Sequence, residues 1–302
     1  MNMIFVNILS LVLIFLLGAG LKKCGVFTQN DAQRLLKLFF YVSLPALILL
    51  SVPELELQST LLFLPLSAVL IIFCTYPIAF FSARGWQLGK QTLAVFLLGS
   101  MIMNGGFAFP FILSAYGTEG MALASLFDFG AAVTVFTFVY YQACRYGSND
   151  ITGLHLLRKL ILSPPLLALC IALVLNLTDL KIAPLGIVVL QPLADLTKPV
   201  VLLSLGIAFN PRVVRRAPLI TVLLIRMGIG FLLGVLCCKL FHLQGLAGTV
   251  TLIMASAPSG MNTLVFSSME DLDIDFAASV VSYATLLGLF WTPLLIYAQA
   301  KP

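Results

Sequence analysis

The chain has 302 residues, of which 61% are hydrophobic and only 10% are charged, and its mean hydropathy is +1.09. A soluble core of this size cannot bury so much apolar surface, so the composition excludes a soluble globular protein and indicates an integral membrane protein. The net charge of +5 does not indicate a nucleic-acid partner, because the basic residues are spread over short loops rather than massed on one face.

Apolar segments follow one another along the whole chain, at about 20 residues for each helix that crosses a lipid bilayer. The first, from Met1 to Gly20, has no basic leader and no small-residue cleavage site, so we interpret it as a retained helix rather than a signal peptide. The sequence predicts an all-α membrane protein with ten transmembrane helices. Their centres lie near residues 12, 42, 71, 102, 130, 167, 197, 229, 255 and 287.

Basic residues are distributed unequally between the two sets of loops. The loops after segments one, three, five and seven contain Lys22, Lys23, Arg84, Lys90, Arg145, Arg158, Lys159, Arg212, Arg215 and Arg216. The opposite loops and the C-terminal tail contain only Lys181, Lys239 and Lys301. The positive-inside rule therefore predicts that the first set is cytoplasmic and that both termini lie outside.

Segments four and nine contain helix breakers in their middle. These are Asn104-Gly105-Gly106-Phe-Ala-Phe-Pro110 and Ala257-Pro258-Ser-Gly260-Met-Asn262. Glycine and proline weaken the helical hydrogen-bond ladder, and backbone freed at membrane depth survives only where protein or a water-filled cavity satisfies it. Two breaks at matching positions of two half-chains predict a substrate site near the bilayer midplane.

An internal repeat relates the two halves. A shift of about 155 residues lays Pro45 over Pro199, one broken segment over the other, and the start of segment five at Glu119 over the start of segment ten at Asp275. Five helices is an odd number, so the second copy must enter the membrane from the opposite face. We predict two inverted five-helix repeats, residues 1–150 and 151–302, related by an axis in the membrane plane.

The order and spacing of these motifs resemble the auxin efflux carrier family over nearly the whole chain. The motifs are Leu38–Leu50 around its proline, Asn104–Pro110 followed by Tyr116–Gly120, Ser163–Ala168, and Ala257-Pro258 before Ser282–Pro293. The chain is similar to bacterial members, because the plant carriers have a long mid-chain loop where this chain has only about a dozen residues.

The resemblance implies the fold of the bile-acid sodium symporters. In that fold helices one, two, six and seven form a scaffold, and helices three to five and eight to ten form a transport domain in which broken helices four and nine cross beside the substrate. It also implies a homodimer with an elevator-like motion, in a bacterial cytoplasmic (inner) membrane, that carries malonate, malate or an auxin-like acid. The residues that match the crossovers are Asn104, Gly105, Gly106, Pro110, Pro258, Gly260 and Asn262.

A carboxylate suits such a crossover, because each half-helix N-terminus carries about half a positive charge. Asn104 and Asn262 add amide groups that bind the substrate or, in the simpler interpretation, only cap the broken ends.

Three charged residues are predicted to serve in coupling or charge compensation. Asp128 lies near mid-membrane and needs a partner or a proton, so it is a candidate for proton coupling, with a structural hydrogen bond as the alternative. Lys198 either pairs with Asp195 or faces the substrate. Arg226 pairs with Asp128 or Asp195, or meets the substrate. The acidic run from Glu270 is predicted to be a solvated loop in which Asp273 or Asp275 caps the last helix.

The sequence therefore predicts a secondary active carrier of small carboxylates that works by alternating access and is driven by protons or membrane potential. It predicts no enzyme, since hydrolase, metalloprotease and diphosphate motifs are missing, and no cofactor beyond a coupling ion. One alternative is a sodium-coupled symporter with oxygen ligands from Asn104, Ser256, Ser259, Asn262 and Thr263. Another is a transporter-like sensor or receptor. The carboxylate itself and the direction of transport stay open.

Overall fold

A computed structural model describes residues 3–56, 59–147, 163–211 and 214–299. Within these ranges the chain is helical, and the one β-type pairing is an isolated bridge. The boundary between the predicted repeats, at residues 150 and 151, lies outside the described residues. So do four of the basic residues counted in the loops, Arg158, Lys159, Arg212 and Lys301.

The helices follow the apolar segments of the sequence. In chain order they are α1 (Met3–Lys23), α2 (Gln29–Leu38), α3 (Leu44–Ser51), α4 (Phe63–Ala83), α5 (Lys90–Met101), α6 (Gly105–Thr134), α7 (Tyr140–Tyr146), α8 (Pro164–Leu177), α9 (Pro184–Asp195), α10 (Thr197–Ala208), α11 (Arg216–Leu223), α12 (Gly230–Leu240), α13 (Gly245–Ala255), α14 (Asn262–Met269) and α15 (Ile274–Gln299). Turns of π-helix at Phe39–Ser43, Val135–Val139 and Leu224–Ile229 make α2 continuous with α3, α6 with α7 and α11 with α12.

Six helical stretches are long and apolar enough to cross a bilayer, judged by length and composition. They are Gln29–Glu54, Thr60–Trp86, Gly105–Tyr146, Pro184–Ala208, Arg216–Leu240 and Ile274–Gln299. Shorter apolar helices include α8 and α13. These features establish an all-α, multi-pass membrane protein, while the count of ten spans, their inverted relation and the side of the termini stay predictions.

One stretch is too long for a single span. Gly105–Tyr146 has 42 residues, and a straight helix of that length would measure about 63 Å at 1.5 Å per residue, about twice the 30 Å apolar thickness of a bilayer. Gly117 interrupts it with φ 63° and ψ −156°. Such a backbone conformation favours glycine, which has no Cβ. The stretch therefore consists of two helices that meet at Gly117.

The chain divides into two compact units, and each draws on both predicted half-chains. The first contains the described residues of Met1–Gln58, Phe109–Ser125 and Ile161–Phe209, and the second contains the rest. Apart from Phe109–Ser125, the first unit holds the four segments that the resemblance assigns to the scaffold. The division into units thus differs from a division into repeats, and the repeats stay a prediction.

In the first unit, α1 packs closely against α10. A Cβ placed on Gly18 would lie 3.2 Å from the Gly206 Cα and would also meet the Leu203 backbone. Lys22 Nζ donates to the Phe209 carbonyl oxygen at 2.8 Å, directly beyond the C-terminus of α10. The two helices are therefore close because small residues face each other, and a cation binds the negative end of α10.

In the second unit, the acidic run before α15 has two different environments. Asp273 caps α15, because its Oδ1 accepts from the Phe276 N–H at 3.0 Å, which confirms the predicted cap. Its Oδ2 accepts from Thr92 Oγ1 at 2.7 Å. The prediction of a solvated loop is wrong for Glu270, which is fully buried and accepts a hydrogen bond from the Tyr140 hydroxyl. The reason is that Glu270 directly follows α14 and packs inside the unit.

Candidate functional site

The two predicted breaks cross each other at hydrogen-bonding distance in the second unit. The first lies between α5 and α6, and the second between α13 and α14. Met103 and Ser259 form an antiparallel bridge, in which the Asn104 N–H donates to the Pro258 carbonyl at 2.9 Å and the Gly260 N–H donates to the Ile102 carbonyl at 3.0 Å. Each interrupted segment thus provides hydrogen-bond partners for main-chain groups of the other.

Glycine is required where the crossing is closest. A Cβ on Gly260 would lie 2.9 Å from the Met103 carbonyl oxygen and 2.7 Å from the Ile102 side chain. A Cβ on Gly288, in α15, would lie 3.0 Å from both the Phe107 ring and the Pro258 ring. These two positions leave room for the crossing backbone and for the rings beside it.

The C-terminal end of α5 has every carbonyl satisfied by this chain. The last four residues of a helix have carbonyls with no intrahelical partner. Here the carbonyl of Leu98 accepts a hydrogen bond from the Ile102 N–H at 2.9 Å, and the carbonyl of Gly99 accepts one from Ser259 Oγ at 2.7 Å. The carbonyls of Ser100 and Met101 both accept from Arg226 Nη1, at 3.2 and 3.1 Å.

The C-terminal end of α13 is satisfied in the same way. The carbonyl of Leu252 accepts hydrogen bonds from the Ser256 N–H at 3.1 Å and from Ser256 Oγ at 2.7 Å. The same hydroxyl oxygen lies 3.4 Å from the Ile253 carbonyl oxygen, to which it also donates. The carbonyl of Met254 accepts from the Ala257 N–H at 3.2 Å, and the carbonyl of Ala255 accepts from Arg226 Nη2. One guanidinium group therefore caps both half-helices that end at the crossing.

Arg226 reaches this position from a π-helical turn, Leu224–Ile229, and its side chain is fully buried. Gly230, one turn further on, has no Cβ, and a Cβ there would overlap the guanidinium group and the Ala255 carbonyl. Within the described residues, Arg226 forms no ion pair with Asp128, Asp195 or any other carboxylate. Its negative partners are carbonyl groups at two helix ends.

The N-terminal end of α6 has donors without acceptors. Asn104 Oδ1 accepts from the Phe107 N–H at 3.1 Å, so the predicted capping role is present. Asn104 is only 7% exposed, and its Nδ2 has no hydrogen-bond partner among the described residues. Within the described residues, no hydrogen bond satisfies the N–H groups of Gly105 and Gly106. Pro110 follows in the second turn of α6 and lacks an N–H.

The N-terminal end of α14 is similar. Asn262 is partly exposed, and neither its amide side chain nor its N–H has a hydrogen bond within the described residues. Thr263 is fully buried, and its Oγ1 lacks a partner in that same part of the chain. Buried polar groups are nearly always hydrogen-bonded, so each exception calls for an explanation.

The other charged candidates lie elsewhere. Asp128 is partly buried in α6 and has no hydrogen bond or ion pair in the described ranges. Lys198 is partly buried near the start of α10, and no ion pair links it to Asp195 there. Asp195 is exposed and accepts from Gln191 Nε2 at 2.9 Å. The structure thus brings Arg226 to the crossing and, within the described residues, shows no charge pairing for Asp128 or Lys198.

Two parts of this geometry are not evident from the sequence. An arginine inside an apolar segment pointed to Arg226, but nothing in the pattern indicated that main-chain carbonyls rather than carboxylates would be its partners. The sequence also predicts that Glu270 lies in a loop, because it begins an acidic run. It is a buried carboxylate whose Oε2 has no partner among the described residues.

The chain is similar to a family of membrane transport proteins and to two proteins named as uncharacterized transporters. A family model described as membrane transport protein matches residues 3–296. An uncharacterized transporter of Methanothermobacter thermautotrophicus is 29% identical over 295 residues, which cover 95% of this chain and 96% of that protein. An uncharacterized transporter of Methanocaldococcus jannaschii is 26% identical over 292 residues, or 93% and 94% of the two chains.

Proposed function

This chain belongs to the auxin efflux carrier family of membrane transport proteins, and we propose that it is a secondary carrier of small carboxylates that binds them where its two broken segments cross. The observation that carries this proposal is the set of donors at the N-termini of α6 and α14. Asn104 Nδ2 is buried without a partner, beside two unsatisfied N–H groups at the start of α6. Backbone N–H groups and a helix N-terminus form a suitable site for an anion.

The charge balance at the crossing also favours an anion. The C-terminal ends of α5 and α13 each carry about −0.5 of a charge, and the single positive charge of Arg226 offsets both. The N-terminal ends of α6 and α14 each carry about +0.5, so they leave about one positive charge for a ligand. One carboxylate group supplies the matching charge and accepts several hydrogen bonds. We therefore expect one carboxylate of the substrate to bind there.

The substrate-binding residues of this proposal are those at the two half-helix N-termini and their flanks. They are Asn104, Gly105, Gly106, Pro110, Pro258, Gly260 and Asn262. Pro258 and Gly260 act through the main chain, because their carbonyl and N–H groups join the two breaks.

The wider arrangement of the carrier is proposed from the sequence. It has ten membrane helices in two inverted repeats, termini outside, a homodimeric assembly and a place in a bacterial cytoplasmic membrane. We propose that it works by alternating access, in which a transport domain moves against a scaffold as the resemblance implies. The two archaeal relatives leave the bacterial source a prediction.

For the driving force, we propose protons or membrane potential. Asp128 is the candidate proton carrier, because its carboxylate lies within an apolar helix without a partner among the described residues. Sodium coupling is the alternative within transport. A transporter-like sensor or receptor is the alternative of another class.

The experiment is uptake of labelled malate and malonate by purified protein in liposomes, under a proton gradient, a sodium gradient or a potential alone. We expect accumulation in the proton or potential arm. Accumulation that requires sodium would replace the proposed coupling by sodium symport. If neither these acids nor an indole carboxylate accumulated in any arm, the carrier function would be wrong and a sensor would be the better hypothesis.

A further inference from the structure

Arg226 occupies the kind of site at which carriers with broken helices hold a coupling cation. In such carriers, unwound carbonyls and half-helix C-terminal ends coordinate sodium. We infer that the Arg226 guanidinium is a tethered cation that takes the place of a bound sodium ion at the crossing. The consequence for transport rests on the proposed function, whereas the consequence for stability does not.

The guanidinium group binds carbonyls of both half-helices with two of its nitrogen atoms. Nη1 donates to the carbonyls of Ser100 and Met101 at 3.2 and 3.1 Å, and Nη2 donates to that of Ala255. The first two carbonyls belong to α5 and the third to α13. A guanidinium presents its donors in a rigid fork, which an ammonium group does not. Arg226 therefore links the two half-helices in the way that a metal ion links its ligands.

The charge of Arg226 is matched to these helix ends. A buried charge without a counter-ion is strongly unfavourable, and no carboxylate pairs with Arg226 in the described ranges. Two half-helix C-termini supply about −1 in total, which is the counter-charge that one cation needs. A sodium ion in addition to Arg226 would leave an excess positive charge.

The carbonyl ligands that the two helix C-termini would offer to sodium already accept hydrogen bonds, whereas Asn262 and Thr263 lie at the N-terminal end of α14, whose partial positive charge disfavours a cation. All eight C-terminal carbonyls of α5 and α13 accept hydrogen bonds from this chain. The hydroxyls of Ser256 and Ser259, which were candidate sodium ligands, donate to the carbonyls of Leu252 and Gly99. Removal of the guanidinium group would free three carbonyls and open a cation-sized space between them.

The test is thermal unfolding of detergent-purified protein in potassium chloride, in sodium chloride of the same ionic strength, and in potassium chloride with guanidinium at a low, non-denaturing concentration. The variants are Arg226→Ala and, as the matched control, Arg216→Ala, whose side chain is exposed at the start of α11. For the wild type, the melting temperature in sodium chloride should equal that in potassium chloride, and the same should hold for Arg216→Ala.

Arg226→Ala should melt at a lower temperature in potassium, and guanidinium should raise its melting temperature but not that of the wild type, since a ligand that binds only the folded state stabilises it. The inference is overturned if Arg226→Ala melts like the wild type, if neither guanidinium nor sodium raises its melting temperature, or if sodium stabilises the wild type relative to potassium.

A second pair of variants keeps the inference testable should Arg226→Ala fail to fold. In Gly230→Ala the new methyl group would overlap both the guanidinium and the Ala255 carbonyl that it binds, whereas a Cβ on Gly228 meets nothing within 4 Å. We expect Gly230→Ala to lower the melting temperature and Gly228→Ala to leave it unchanged. Equal melting temperatures for the two variants would contradict the role assigned to Arg226.

Uptake measurements separate this inference from the proposed function. Wild-type uptake should be equal in sodium and potassium media, and uptake by Arg226→Ala should rise when guanidinium is added. If the wild type transports no carboxylate but the unfolding results hold, the tethered cation stands and the substrate assignment falls. If transport is intact but requires sodium, the tethered cation is wrong.

Discussion

Asn104 performs two tasks with the two atoms of one amide group. Its Oδ1 caps α6 through the Phe107 N–H, and its Nδ2 is buried without a partner in the described part of the chain. The sequence indicated both tasks but could not separate them, because the orientation of an amide depends on neighbouring groups. Here the N–H of Phe107 requires an acceptor and thereby places the NH₂ group on the other side.

The cap predicts different effects on stability for two substitutions of Asn104. Asn104→Ala removes the cap and should lower the free energy of unfolding by about 1 kcal/mol. Asn104→Asp retains an acceptor for the Phe107 N–H and places a negative charge at a helix N-terminus, so we expect stability near that of the wild type. Thermal unfolding in detergent measures both, and equal losses would show that the cap has no importance here.

Asp128 provides a test of proton coupling at a single residue. If its carboxylate carries the proton, Asp128→Asn should remove the pH dependence of uptake in liposomes. Glu119→Gln is the matched control, because Glu119 is an exposed carboxylate in the same helical stretch, and its variant should keep the pH dependence of the wild type. A pH profile that Asp128→Asn leaves unchanged would remove Asp128 from the proposed mechanism.

At the scale of elements, the sequence predicted where the two helices are interrupted but not which groups form hydrogen bonds with the interrupted backbone. Glycine, proline and asparagine within apolar segments locate an interruption, because they disrupt the local hydrogen-bond ladder. Which carbonyl meets which donor across the crossing depends on contacts between residues far apart in sequence. The capping of α5 by Ser259, for example, joins positions separated by 160 residues, and only the folded chain brings them together.

The packing of α1 on α10 predicts a contrast between two glycines of α1. Gly18→Ala would place a methyl group against the backbone of α10, whereas a Cβ on Gly20 meets nothing within 4 Å. Overpacking costs typically about 1–3 kcal/mol, so Gly18→Ala should melt at a lower temperature than Gly20→Ala. Because both changes are in one helix, differences in helix propensity largely cancel. Equal melting temperatures would contradict the close approach of the two helices.

At the scale of the whole molecule, the composition predicted a multi-pass membrane protein and the motif order predicted the family, and both predictions are confirmed. The compact units could not be read from the chain order alone, because the first unit combines Met1–Gln58 with Ile161–Phe209 across an intervening stretch. The distribution of charge at the crossing also could not be predicted from any local sequence pattern. A guanidinium group neutralises the negative helix ends and leaves the positive ends open.

The most direct measurement is equilibrium binding of a labelled carboxylate, whichever of malate, malonate or an indole acid gives saturable uptake, to the purified wild type and to Asn104→Asp. A charge-assisted hydrogen bond contributes about 1.5–3 kcal/mol, so loss of the Asn104 donor should weaken binding at least about tenfold. The added negative charge should weaken it further, although the protein stays folded. Unchanged affinity in Asn104→Asp, or no carboxylate binding by the wild type, would contradict a carboxylate site at the crossing.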